Sequence, residues 1–529
     1  MRRWILLLGI VLSSFSGFSQ EKEKPPNFLF IAVDDLNIYN SPMGNYPGNF
    51  LEKIYPSKMK RSEVIQRLTP NLDRLGQQSM IFNRAFSAAP LCGPSRTALL
   101  TGTPPHVSGY YQHDQHFRGY SSLTNVVTLP QHLKNNGYYT VGIGKVFHKG
   151  RSYLDRGVFS DWPDQLYSWS EWVEVHSGTA AGPDYEFDKS ETPSRYWESD
   201  GKRSHNYTRF GSTSVPREKA NDYLNAQFIA DLIVKGEAIR QDLHGKERNL
   251  TLPQDKPFFL ACGLFAPHLP WVVPQEYLDM FPIDEMAIDQ DLLDWIESDL
   301  KDLSAYGQNK TRNTHMDELR RFGIELDGKG GDMNAWKAYL QAYLATIAYS
   351  DRNIGVLVDA IEQNPQKDNT VVMLWSDHGY HVGDKNRSGK VTLWEAANHC
   401  NLIIRDPRIK ESTEGKRAET PVSLQDLYPT VVSLADLDKP EHVHGVDLSL
   451  ILKNSKEERG QPVLNTNGKD NHALRTDGFR YIRFRNGDQE LYDLEKDPFE
   501  EINLAKSEKH QELLNSLYQQ LNEMLKTRP

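Results

Sequence analysis

Across 529 residues, 38% of the side chains are hydrophobic and 25% are charged, which excludes a disordered chain and supplies apolar mass for a large core. The size suits one large domain plus a smaller one, or two to three of ordinary size. A net charge of -10 argues against nucleic acid as a partner, and it obliges any site for an anionic substrate to gather positive charge locally.

The chain begins with Arg2 and Arg3, a short apolar stretch over residues 4–12, and small residues up to Gln20. This is the pattern of a secretory signal peptide over residues 1–20, and the apolar run is too short to span a bilayer. A periplasmic or extracellular protein is therefore expected. No stable membrane anchor is expected either, since the first cysteine is Cys92.

Asn27 opens a continuous apolar run, NFLFIAV, that ends at Asp34-Asp35. Such a run predicts a strand buried on both faces, as in a parallel sheet. Similar runs follow at residues 138–143, 257–265, 370–375 and 401–404. Helical periodicity lies between them, at residues 129–136, 219–243 and 335–363. The alternation predicts an α/β sandwich with a large, mostly parallel sheet flanked by helices. Residues 150–255 are in part polar and aromatic with weak periodicity, which suggests long loops at a site mouth. From Lys456 onward the character changes to a small α+β unit. Residues 473–485 alternate, Asn486-Gly487 turns the chain into residues 490–494, and an amphipathic helix covers residues 508–526.

In parallel α/β sheets, ligands bind beyond the carboxyl ends of the strands. Asp34, Asp35, Lys145, His268, Asp377 and His378 all fall just after predicted strands. Each alone would read as a turn or cap residue, but their shared position predicts one site. Cys262 and Cys400 sit in apolar strand contexts and suit burial. Cys92 instead lies among Gly93, Pro94, Ser95 and Arg96. Pro94 suits the first turn of a helix, which sets Cys92 at its positive N-terminus with Arg96 four residues on.

Cys92-Gly93-Pro94-Ser95-Arg96 with Thr101-Gly102 resembles the signature C-x-P-S-R-x4-T-G of the formylglycine-dependent sulfatase family at every fixed position. Further elements are similar to that family: Thr69-Pro70-Asn71, Gly144-Lys145-Val146-Phe147-His148, Pro267-His268-Leu269-Pro270, and Leu491-Tyr492-Asp493-Leu494 near the end. Histidine at position 378, where the family often has Asn, matches the iduronate-2-sulfatase-like branch. The resemblance implies an alkaline-phosphatase-like sandwich. It would place the catalytic domain at residues 21–455 and a C-terminal α+β subdomain with an antiparallel sheet at residues 456–529.

It further implies that a maturase oxidises Cys92 to formylglycine (3-oxoalanine), whose hydrate attacks sulfur and later expels sulfate through its second hydroxyl. Asp34, Asp35, Asp377, His378 and the modified Cys92 would hold a divalent metal. Hard oxygens favour Ca²⁺ with Mg²⁺ as the alternative, although the imidazole would also suit Zn²⁺. Arg96 would steady the nucleophile and an oxyanion, and Lys145 and Lys390 would bind sulfate. His268 would act as general acid, and His148 as base toward the second hydroxyl. The stretch 110–118 is rich in sugar-binding side chains, and Asp114, His116 and Arg118 are its substrate candidates. The expected substrate is a sulfated oligo- or polysaccharide containing uronate, rhamnose or galactose. Two rivals remain at this point: a phosphodiesterase or phosphonate monoester hydrolase of the same superfamily, and a glycan-binding protein with an unmodified Cys92.

Overall fold

The structure, a computed structural model, describes residues 24–148, 164–175, 210–242, 244–311 and 333–526. The expected signal segment, and residues 149–163 and 176–209 of the expected loop region, lie outside the described residues. Eight strands build the main sheet. They are β1 (Asn27–Val33), β2 (Met80–Phe82), β3 (Tyr139–Gly144), β4 (Glu171–Val173), β5 (Phe258–Leu264), β6 (Thr370–Ser376), β7 (Leu402–Arg405) and β8 (Arg417–Ala418). Their spatial order is β8-β2-β7-β6-β1-β5-β3-β4. All pairs are parallel except β7 with β6 and β7 with β2. The run at residues 401–404 thus runs back against β6, because the chain re-enters the sheet from the end where β6 leaves it and needs no crossover helix.

The uninterrupted apolar strands follow from burial on both sides. Leu29, Ile31 and Val33 of β1 belong to one core layer, and Phe28, Phe30 and Ala32 to the other. The helices that bear on the site are α1 (Pro70–Gly76), α2 (Cys92–Thr101), α3 (Leu129–Asn135), α4 (Asn221–Lys235), α5 (Met333–Gln363) and α6 (Leu427–Leu434). Helices α4 and α5 cover the first layer, and α2, α3 and α6 cover the second.

Periodicity predicted that α4 would run to residue 243, and the structure ends it at Lys235. Gly236 adopts the left-handed conformation (φ 77°) and donates its N–H to Leu232 O, a helix-ending geometry that glycine adopts without penalty. Residues Glu237–Gln241 then pair with Glu247–Thr251 as a hairpin.

The C-terminal unit is a four-stranded antiparallel meander: β9 (Val463–Thr466), β10 (His472–Arg475), β11 (Phe479–Arg483) and β12 (Gln489–Asp493), packed on α7 (Gln511–Lys526). What read as one alternating strand over residues 473–485 is two strands, folded at Asp477-Gly478. That dipeptide is a strong hairpin signal, and alternation continuing on both sides of it hides the break.

Candidate active site

Strand register brings the site together. Val33 pairs with Ser376 on one side and Leu264 on the other, and Gly144 pairs with Gly263. The residues that follow these positions therefore leave the sheet at one edge: Asp34 and Asp35, Lys145, the loop carrying His268, and Asp377 with His378. Gly144 (φ 74°) and Gly263 make the close approach beside Lys145, since a Cβ on Gly263 would meet Lys145 backbone atoms at 2.3–2.5 Å. A Cβ on Gly144, the glycine of the G-K-x-x-H element, would in turn clash with Gly263 O, so that glycine is a packing requirement of the sheet edge.

Helix α2 starts at Cys92 after an extended Leu91 and is buried along its whole length. Ser95 Oγ donates to Asp377 O at 2.5 Å, which fastens the helix to the end of β6. Around Cys92 Sγ stand Lys390 Nζ at 2.9 Å, His378 Nε2 at 3.2 Å and Asp35 Oδ1 at 3.8 Å. Burial pushes the Cys92 thiol well up, against the pull of Lys390, so the unmodified side chain is no preformed thiolate.

Lys145 Nζ pairs with Asp34 and Lys390 Nζ with Asp35, both as close ion pairs. Burial would raise the Asp35 carboxyl, but Lys390 and His268 outweigh it and bring it down to about 2. Asp34 is likewise held well below the carboxylate range, its burial overcome by Lys145, His268 and Arg96.

Two overlapping groups of side chains each place one donor atom per residue within 4.8 Å of the others: Asp34, Asp35, Cys92 and His268, and Asp35, Cys92, Asp377 and His378. Their chemistry fits a divalent cation. Three carboxylates supply hard oxygens. His378 donates Nδ1–H to Gly379 O at 2.9 Å, which leaves Nε2 bare and facing Cys92, Asp35 and Asp377. A backbone carbonyl that orients an imidazole in this way is the usual support for a metal-binding histidine. His268 is similar: Nδ1–H donates to Leu269 O at 2.6 Å, and Nε2 lies 3.8 Å from Asp35.

Arg96 is held by partners within the site. Its Nε donates to Asp377 Oδ2 at 3.0 Å and its Nη2 to Asp34 Oδ1 at 3.0 Å, while Nη1 donates to the carbonyls of Lys145 and Val146. The guanidinium braces two carboxylates and the G-K-x-x-H turn, and it is not presented as a free anion donor. His148 is partly buried beside this turn and stacks on His113, with ring centroids 3.9 Å apart. Burial, reinforced by His113 and Lys145, holds its imidazole well below the ordinary histidine range.

Of the three substrate candidates, none is brought into this cluster as a free recognition group. Arg118 is 3% exposed and uses all five N–H groups internally, on Asp164, Thr124 O, Val126 O and Gln131. His116 is buried, accepts the Arg118 N–H through Nδ1, and packs on Phe117. Asp114 is exposed and accepts from Tyr120 Oη.

Two residues escaped the sequence reading. His113, in the same stretch, accepts the Gly93 N–H. Asp222, on α4, accepts the backbone N–H groups of Phe265 and Ala266 in the loop that carries His268. No spacing marks His113, and Asp222 reads as an ordinary residue of a helix first turn.

The Sulfatase family profile matches residues 26–437, and the profile described as N-sulphoglucosamine sulphohydrolase, C-terminal, matches residues 383–527. A sulfatase of Formosa agariphila is 31% identical over 523 residues, covering 97% of this chain and 90% of its own. Human iduronate 2-sulfatase is 25% identical over 475 residues, covering 83% of this chain and 75% of its own. A structure solved with the substrate D-glucosamine-2-N,6-O-disulfate shares the fold, with TM-score 0.63 and 22% identity over 95% of this chain and 98% of that one. A family profile spanning most of the chain, on a sheet edge that carries the family's signature cysteine among carboxylates and cations, makes this protein a member of the sulfatase family, hydrolases of sulfuric esters.

Proposed function

We propose that the protein is an exported sulfatase that removes sulfate ester groups from a sulfated oligo- or polysaccharide, using formylglycine made from Cys92 by a separate maturase. The observation that carries this reading is the approach of Lys390 Nζ and His378 Nε2 to within 3.2 Å of Cys92 Sγ at the carboxylate-rich sheet edge. Carbohydrate as substrate is supported by relatives named as an N-acetylglucosamine-6-O-sulfatase and an ulvan-active sulfatase, and by the disulfated glucosamine in a structural neighbour.

The charges suit the task. Asp34, Asp35 and Asp377 balance Arg96, Lys145 and Lys390, so a divalent cation would leave the pocket net positive toward a sulfate monoanion. Asp34, Asp35, Asp377, His378 and the position-92 side chain would hold Ca²⁺, which supplies Lewis acidity toward sulfate oxygens. A formylglycine hydrate at 92 supplies one hydroxyl to attack sulfur and a second for internal release of sulfate, which a serine lacks. Lys145 and Lys390 would neutralise the transferring group. As the imidazolium, with Nδ1–H fixed on Leu269 O, His268 would give its Nε2 proton to the departing sugar oxygen and regain one from solvent. His148 removes the proton of the second hydroxyl. Arg96 holds Asp34 and Asp377 in register with α2.

The test is mass spectrometry of the Cys92 peptide from the native producer or a maturase-bearing host, together with turnover of sulfate, phosphate and phosphonate esters by wild type and Cys92→Ala. A formyl residue at 92 and sulfate release that Cys92→Ala lacks are expected. An intact thiol in fully active material, or an active Cys92→Ala, would end the proposal.

A further inference from the structure

One imidazole at the site has no part in the chemistry above. Gly93, the second residue of α2, donates its backbone N–H to His113 Nε2 at 2.8 Å. A backbone amide only donates, so His113 accepts through a bare Nε2 and carries its ring proton on Nδ1. The same ring lies flat against His148, centroids 3.9 Å apart and planes inclined by 20°. With one edge His113 therefore touches the backbone beside Cys92, and with its face it touches the imidazole assigned to the second proton transfer.

The residue at 93 makes this approach feasible. A Cβ there would meet His113 Cδ2 at 2.6 Å and the Tyr110 hydroxyl at 2.8 Å. The variable position of the C-x-P-S-R signature is thus fitted, as glycine, to a histidine 20 residues further on. The N–H groups of a helix's first turn have no partner within the helix, and one left free competes for any acceptor nearby, substrate included. His113 takes that donor and fixes the turn that carries position 92.

We propose that His113 is a positioning residue for sulfate ester cleavage. Its Nε2 locks the first turn of α2 through Gly93, and its ring face holds His148 in line with the position-92 side chain. This rests on the roles proposed for Cys92 and His148.

Four variants take the device apart. His113→Gln keeps an acceptor at the reach of Nε2 but has no ring, and His113→Phe keeps a ring but has no acceptor. His113→Ala has neither, and Gly93→Ala forces the ring away. Each is prepared with a maturase and assayed for sulfate release from 4-nitrophenyl sulfate and from a panel of sulfated mono- and disaccharides. His113→Ala is expected to lower kcat about tenfold or more with KM within about twofold, the pattern of a misaligned reacting group rather than of lost binding. The Gln and Phe variants should each recover part of the loss. The Gly93→Ala/His113→Ala pair should be no worse than the poorer single variant.

Histidine-selective ¹⁵N spectra of the unconverted protein give a readout free of turnover. They should show His113 as the Nδ1–H tautomer, with its Nε2 resonance shifted in Gly93→Ala. Unchanged kcat in His113→Ala, additive losses in the pair, a rise in KM alone, or an Nε2–H tautomer would each overturn the proposal. Cys92→Ala, assayed alongside, separates the two claims. If it is inactive while His113→Ala is untouched, only the positioning role falls. If it is active, the reading of the site falls with it.

Discussion

Arg118 shows how a residue with the right chemistry can sit in the wrong place for recognition. Its guanidinium makes a bidentate pair with Asp164 at 2.5 and 2.8 Å and is buried together with its partner. Removing it strips a buried carboxylate of its counter-charge and two carbonyls of their donor, a loss of about 3–5 kcal/mol. Arg118→Ala is accordingly expected to lower the urea midpoint sharply, and Arg118→Lys to recover little, since one ammonium cannot replace a fork. A raised KM at unchanged stability would return Arg118 to the substrate. The lysines at the site behave oppositely. Lys145→Ala or Lys390→Ala should raise the barrier by about 3 kcal/mol, as loss of one oxyanion donor does, and unchanged kcat/KM in both would discredit the sulfate clamp. The difference between these groups also explains what was legible. Lys145, His148, His268 and Cys92 sit in contiguous motifs at strand ends or a helix start, where local pattern dictates position. Arg118, His116 and His113 lie in a stretch without periodicity, where the chain path decides which side chain faces the site.

At the scale of elements, two supports hold the chemistry in place. Asp222 on α4 is buried, and burial raises its carboxyl to about 6 despite the N–H donors of Ala266 and Phe265. It fixes the turn between β5 and His268, so Asp222→Ala should cost about 1–3 kcal/mol in urea unfolding through the N–H groups it strands. A decline in kcat/KM should accompany the loss, and full stability in this variant would show that the turn needs no such anchor. Lys390 depends on a strained segment. Val391, a β-branched residue, has φ 73°, a region it adopts only under constraint. The constraint is visible: Val391 N–H donates to Pro90 O at 3.1 Å, Asn467 Nδ2 donates to Val391 O at 2.7 Å, and Arg387 donates to Lys390 O at 2.8 Å. Val391→Gly should therefore raise stability by about 1 kcal/mol while lowering kcat/KM, since the strain is lost together with the side chain that transmits it. A destabilised Val391→Gly would contradict this. Periodicity located most of these elements but could not register Val391, because conformations of positive φ leave a signal only where glycine or asparagine fills them.

Over the whole molecule, the C-terminal sheet does more than cover the end of the chain. Arg475 on β10 and Arg480 on β11 both reach Glu395, five residues after Lys390, and hold its carboxyl, despite its burial, down to about 2. Asn467, in the β9–β10 turn, completes the clamp on Val391. The segment that brings Lys390 to Cys92 is thus held by residues nearly at the far end of the sequence, a dependence that chain order alone does not reveal. At the centre of this contact is Glu500, fully buried, whose Oε2 accepts the Glu395 N–H at 2.8 Å. Burial raises its carboxyl to about 8, against Arg480 and Lys385, while in the unfolded chain it releases its proton near 4.5. Between those values the native state binds the extra proton, so stability falls as pH rises across the window. The stabilising contribution is complete below about 4.5 and disappears as pH passes about 8. Asp299 and Asp222, each raised to about 6 by burial, slope the same way, so the wild-type profile mixes all three groups. Glu500→Gln separates them, because its amide oxygen still accepts the Glu395 N–H and no longer titrates. The urea midpoint of Glu500→Gln relative to wild type should climb steadily from pH 5 to pH 8. A difference that stays level across that range would mean that Glu500 is ionised in the native protein at neutral pH, and that Lys385 and Arg480 outweigh its burial.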